Sequence, residues 1–343
     1  MVAMPNLPTL ALPIIAAPMA GGPSTPELVA AVAAIGGSGF LAAGYRTAGQ
    51  MHDQIKSTRA LTDAPFGVNL FVPNDDPVDD SAIGDYRQAL AATAAEYGLT
   101  DLALPTADSP DTDDWDAKIA VLQSDPVPMV SFTFGLPGAD VVRSLQTVGS
   151  CVIATVTSVD EAEAARSVGY DALVVQGPEA GGHRGTHSTL TEPGALALTE
   201  LLPAVAQAVD LPLIAAGGLT DHAAITAALE HAVAVQLGTT FLLADEAGTS
   251  ATHRRALQDP AFTTTTVTRS FTGRPARSLH NKFIDRFGAC APAAYPAVHH
   301  LTGPLRRAAA EAGDAQFVHL WAGTGWRDIR SGKVATIVAD LWP

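Results

Sequence analysis

The chain has 343 residues, with 20 Lys and Arg against 35 Asp and Glu, a formal net charge of −15. It is 47% hydrophobic and only 16% charged, which excludes disorder and coiled coil and points to a large buried core. The first basic residue is Arg46, so neither a nucleic-acid partner nor a secretory leader is expected, since both rely on Lys and Arg.

In chain order, the repeating unit is a short apolar strand, a turn and an amphipathic helix. Ile14–Ala17 reads as the first strand. Thr25–Ile35 reads as a helix, with a Ser24/Thr25 start and Pro26 in its first turn. The uncharged stretch Leu28–Tyr45 raises a membrane span, but Gly36, Gly37, Ser38 and Gly39 at its centre divide it into helix, turn and buried strand. A soluble cytoplasmic protein is the expectation. Phe40–Ala43 is the second strand and Phe66–Val72 the third. Met129–Phe134, Val152–Val156, Ala172–Gln176, Leu211–Ala215 and Ala234–Leu237 complete eight. Asp140–Val148, Ser158–Val168, Gly194–Val209 and Asp221–Glu230 are expected helices between them.

These strands are continuous in Val, Ile, Leu and Ala, the pattern of parallel strands buried on both faces. The expected class is therefore α/β, a (β/α)8 TIM barrel. A doubly wound sheet is the alternative, but no GxGxxG follows the first strand. Two segments fall outside the repeat, 73–125 and 262–343. We expect them to form a small helical cap over a barrel built from 1–72 and 126–261. Cys151 and Cys290 make no disulfide framework and are expected as buried packing.

Chemistry in such a barrel sits at the C-terminal ends of the strands. The seventh and eighth strands run into Gly217-Gly218 and Gly238-Thr239. Glycine lets a phosphate approach the backbone, and free N–H groups at a helix start favour an anion; the alternative is that these glycines only make ordinary tight turns. Asn69 and Gln176 are amides inside apolar strands; they would serve either a ligand ring or a neighbouring loop backbone. His183 stands in a loop with glycines on both sides and can accept a proton near neutrality. A metal site on His183, His187 and Glu179 is not expected, because Gly185 interrupts the helix that such spacing needs. Glu179 and Arg184 are expected to pair or to face solvent, and His299 and His300 to be surface or cap residues. No G-x-S-x-G accompanies Ser131, so acyl-enzyme hydrolysis is unsupported.

The block Gln176-Gly-Pro-Glu-Ala-Gly-Gly-His183-Arg-Gly resembles the signature of nitronate monooxygenases, formerly called 2-nitropropane dioxygenases. Supporting pieces are Ala17-Pro-Met-Ala-Gly-Gly22, Gly67-Val-Asn-Leu-Phe71, Ser131-Phe-Thr-Phe-Gly135, Ala215-Ala-Gly-Gly218, Gln236-Leu-Gly-Thr239, Gly273-Arg-Pro-Ala-Arg277 with Asn281, and Trp321-Ala-Gly323. The resemblance runs over nearly the whole chain. It implies a barrel with a small helical domain and one non-covalent FMN. It places FMN at Ala17, Pro18, Met19, Asn69, Gln176, Gly181, Gly182, Gly217, Gly218, Gln236, Leu237, Gly238 and Thr239. It makes His183 the catalytic histidine, with Ser131 and His183 at the substrate. The implied reaction oxidises alkyl nitronates, such as propionate 3-nitronate, with O2 to a carbonyl compound and nitrite, a detoxification. The alternatives are an FMN-dependent enoyl-thioester reductase using NAD(P)H, a flavin-free sugar-phosphate lyase or isomerase, and a flavin-binding protein without catalysis.

Overall fold

The computed structural model describes residues 7–74, 76–102 and 111–342. Eight parallel strands close into a barrel: β1 (Ile14–Ala16), β2 (Ser38–Ala42), β3 (Gly67–Phe71), β4 (Met129–Thr133), β5 (Cys151–Val156), β6 (Ala172–Gln176), β8 (Leu213–Ala216) and β9 (Ala234–Leu237). Closure comes from β1 against β9, with Ile15 opposite Gln236. Between β6 and β8 lies β7 (Gly182–His183). It joins β10 (Thr265–Thr268) and β11 (Ala276–Leu279) in a separate antiparallel sheet ordered β10-β11-β7. The expected α/β barrel is therefore the observed fold.

Local signals explain the outer helices. Thr25 caps Pro26–Ala34 by accepting from Leu28 N, and Thr47 with Gln50 forms a capping box on Ala48–Leu61. Ser158 starts Val159–Val168, and Gly169 ends it in the left-handed conformation. Along each strand the side chains alternate between two cores. Ile15, Phe40, Cys151 and Ile153 point into the barrel, while Ile14, Ala16, Val152 and Ala154 pack beneath the helices. The uncharged stretch at 28–45 is helix, turn and β2, and no described helix is long and apolar enough to cross a membrane.

A second core lies outside the barrel. It joins the helices Asp80–Glu96, Ala251–Gln258, Lys282–Phe287 and Ala297–Glu311 through Tyr86, Leu90, Phe271, Phe283 and Leu301. The segments 73–125 and 262–343 divide between the two cores. Trp115–Ser124 puts Ile119 and Leu122, and Val334–Leu341 puts Val334 and Ile337, into the barrel's outer core. Residues 75, 103–110 and 343 of those segments lie outside the described residues, as do 1–6. The threonine run contributes to β10. Cys151 is buried as expected, but Cys290 is exposed beyond the end of Lys282–Phe287, where no core covers it.

Candidate active site

A cavity of about 490 Å³ opens at the C-terminal mouth of the barrel and extends beneath the second core. Its size falls within the usual range of small-molecule sites. Ala17, Pro18, Met19, Asn69, Gln176, Gly181, Gly182, His183, Gly217, Gly218, Gln236, Leu237, Gly238 and Thr239 all line it. Ser131 does not. It is buried beneath the floor, where its Oγ accepts from Asn69 Nδ2 at 2.9 Å.

The floor carries three amides with different fates. Asn69 Nδ2 also donates to Thr133 Oγ1 (3.0 Å), so its Oδ1 is left as an acceptor toward the cavity. Gln176 is satisfied by its own loop: Nε2 donates to His183 O and Oε1 accepts from Gly185 N. Here the loop-capping role expected as one alternative is the observed one. Gln236 has no side-chain partner among the described residues and lines the cavity.

One wall is built for close approach. Gly217 (φ +108) and Gly218 (φ +72) are both left-handed, and a Cβ on Gly217 would lie 2.9 Å from Ala180 N. Side chains are excluded there on both conformational and steric grounds. Thr239 Oγ1 accepts from Gly323 N at 2.9 Å, tying this corner to the C-terminal segment. The missing Cβ atoms, the unpaired amide of Gln236 and the Asn69 acceptor fit a flat heterocycle with an anionic tail.

His183 sits on β7, held by β11 through the pairs Ala276–His183 and Arg277–Gly182. Its Nε2 lies 2.9 Å from Thr272 Oγ1. That hydroxyl is also 3.4 Å from Arg274 O, which can only accept. With the hydroxyl directed to the carbonyl, the ring donates from Nε2 and keeps a free lone pair on Nδ1. Nδ1 has no protein partner among the described residues. Burial, then the charges of Arg274 and Arg306, push the imidazole down to about 3, so it is neutral near pH 7. Phe134, Phe71 and Trp321 surround it, with ring centroids 5.4, 6.5 and 5.3 Å away. Phe134 has φ +81, a strained backbone for a bulky residue, and the Arg274 guanidinium covers its ring at 4.2 Å.

Besides Ser131, the structure corrects the expectations for Arg184, Glu179 and His299. Arg184 neither pairs with Glu179 nor meets solvent. It is fully buried and donates to the carbonyls of Gly177 and Gln176. Glu179 faces the cavity and accepts from Leu198 N at the start of a helix. Of the two alternatives for His299, surface or cap, the structure rules out the first: it lies on the second-core helix Ala297–Glu311 and lines the cavity, stacked on Tyr45 with centroids 4.1 Å apart. His183 is therefore one of four cavity histidines, with His253, His299 and His319. No cluster of three or more metal-ligating side chains occurs among the described residues.

A family model described as nitronate monooxygenase matches residues 6–343. A probable nitronate monooxygenase of Staphylococcus saprophyticus is 37% identical over 336 residues, covering 96% of this chain and 93% of that protein. A solved nitroalkane oxidase from Streptomyces ansochromogenes superposes with a TM-score of 0.91 at 48% identity, covering 97% and 95% of the two chains. FabK from Thermotoga maritima is more distant, with a TM-score of 0.73 at 26% identity over 97% and 92%.

Proposed function

Since the chain belongs to the nitronate monooxygenase family, we propose that it oxidises alkyl nitronates with O2 to a carbonyl compound and nitrite. Family membership makes it an oxidoreductase that acts on a small molecule. The finer reading is that FMN is the flavin, propionate 3-nitronate a typical substrate and detoxification the role. FMN would be held by Met19, Asn69 and Gln236 at its ring and by the Gly217–Gly218 and Gly238–Thr239 corners at its phosphate. When bound, it supplies the redox chemistry between substrate and O2.

The observation that carries this reading is the place of His183 at the cavity wall, its Nε2 engaged by Thr272 and its Nδ1 without a protein partner among the described residues. A nitronate is already an anion and needs only to be positioned and shielded from water. A neutral nitroalkane must first lose its α-proton, and in this reading His183 Nδ1 takes it. Phe71, Phe134 and Trp321 shield that position. The second core, closing over the barrel mouth, serves as the cap of a barrel domain in this reading.

The test is nitrite release from purified yellow protein. His183→Asn is expected to lose turnover of neutral nitroethane at least about a hundredfold and turnover of ethyl nitronate far less. Equal losses on both substrates would remove the base role. The likeness to FabK supports a second reading, a reductase that draws on NAD(P)H. Rapid NADH-dependent bleaching of the flavin, without nitrite release, would favour it.

A further inference from the structure

We propose that Arg306, His299 and His319 form a subsite for a carboxylate on the substrate, separate from the group that reacts beside His183. The inference rests on the nitronate reading of the same cavity and deepens it.

Arg306 lies on the helix Ala297–Glu311 and is only 6% exposed. No carboxylate pairs with it among the described residues. Its Nε donates to Thr302 Oγ1, one terminal nitrogen meets His319 Nδ1 at 3.1 Å, and the other meets His299 Nδ1 at 3.3 Å and His299 O at 3.0 Å. A buried cation held only by neutral groups is costly, and a bound anion offsets that cost.

The hydrogen bonds also fix two tautomers. Arginine has donors only, so Nδ1 of both rings must accept and each neutral ring carries its proton on Nε2. Burial and the Arg306 charge hold both imidazoles neutral. Neither Nε2 has a protein partner among the described residues, and both rings line the cavity. The wall therefore presents two N–H groups polarised by one buried positive charge. Two donors match the two oxygens of a carboxylate. Tyr45, stacked flat on His299, holds one ring in place, and exposed Arg307 on the same helix adds a second charge at the lining.

The subsite stands one aromatic ring away from His183 along both walls. Trp321 has its centroid 5.3 Å from His183 and 5.2 Å from His319. On the other side Phe71 lies 6.5 Å from His183 and 5.4 Å from Tyr45. A group held here is not the one next to His183 Nδ1. The substrate it suits has two anionic ends joined by a short carbon chain. The glycine corners follow β8 and β9, whereas Tyr45 follows β2, so this is also not the phosphate corner.

The test compares propionate 3-nitronate with propyl 1-nitronate, which replaces the carboxylate by a methyl group. Wild-type protein should favour the carboxylate substrate in kcat/KM by at least about tenfold, through KM. Arg306→Met and, independently, His319→Phe should bring that ratio close to one. A wild-type ratio near one overturns the proposal, as does an equal fall in kcat on both substrates. Flavin loss confined to the Arg306 variant would assign the anion to the cofactor and overturn it too. Calorimetric titration with succinate reads the subsite without turnover. Binding that is lost in Arg306→Met supports it even if neither nitronate is oxidised, the result that would sink the functional reading instead. Sulfate binding as tightly as succinate would overturn the carboxylate class.

Discussion

Thr272 governs what His183 can do by engaging one of its two ring nitrogens at 2.9 Å. Thr272→Val keeps the shape but removes the oxygen, leaving Nε2 unsatisfied and the tautomer free. Nitroalkane kcat/KM should fall about tenfold, the cost of one such bond, while Thr272→Ser stays near wild type and nitronate turnover changes less. Wild-type nitroalkane rates in the valine variant would reduce Thr272 to packing. His183 was legible in the sequence because glycines flank it at the end of an apolar strand. Thr272, His253, Arg306 and His319 were not. They reach the cavity from segments 70 or more positions downstream of His183, and nothing in their neighbours' periodicity points to it. Arg184 was misjudged for a different reason. A charged residue in a glycine loop reads as exposed, whereas here two carbonyls satisfy it in the interior.

The strand-six loop is shaped by an element far from it in sequence. β11 pairs with β7, Arg184 N donates to Pro275 O at 2.8 Å, and Arg277 donates twice to Pro178 O at 3.0 and 2.8 Å. Arg277→Met removes both of these bonds and a third, from its other terminal nitrogen to Thr265 Oγ1 at 3.1 Å, at a cost of about 2–3 kcal/mol. Amide exchange across 177–186 should then accelerate while β3 to β6 keep their protection. Uniform acceleration across the barrel would show instead that Arg277 supports the whole fold. Parallel barrel strands could be read because burial on both faces makes them continuously apolar. β7 could not, being two residues long, and β10 is a threonine run with no hydrophobic alternation. The sheet exists only because the chain returns to pair with the loop. The same limit explains Trp115–Ser124 and Val334–Leu341: each is apolar on one face, and the sequence does not say which core that face meets.

At the scale of the molecule, the cavity ties stability to pH. His183, His253 and His299 are pushed down to about 3, about 4 and about 2, and His319 well below its usual range, in every case first by burial. In the unfolded chain each titrates near 6.5. Between about pH 4 and 6.5 the unfolded chain thus binds protons that the native state refuses, so stability falls as pH falls. Each imidazole contributes up to about 1.4 kcal/mol per pH unit, so over one full unit four together reach about 5.5 kcal/mol as an upper bound. That is comparable to the total stability of many domains. Asp113 and Asp171 are raised by burial and oppose this slope, while Asp76, Asp111 and Asp125 are lowered and add to it only in the carboxylate range. The urea midpoint should therefore drop steeply from pH 6.5 to 5. His253 isolates the cause, since it is 8% exposed and its Nε2 has no partner. His253→Leu should remove about one proton from the pH slope and raise stability relative to wild type at pH 5. An unchanged slope would mean that His253 takes up its proton in the folded state, with water entering the cavity to solvate it.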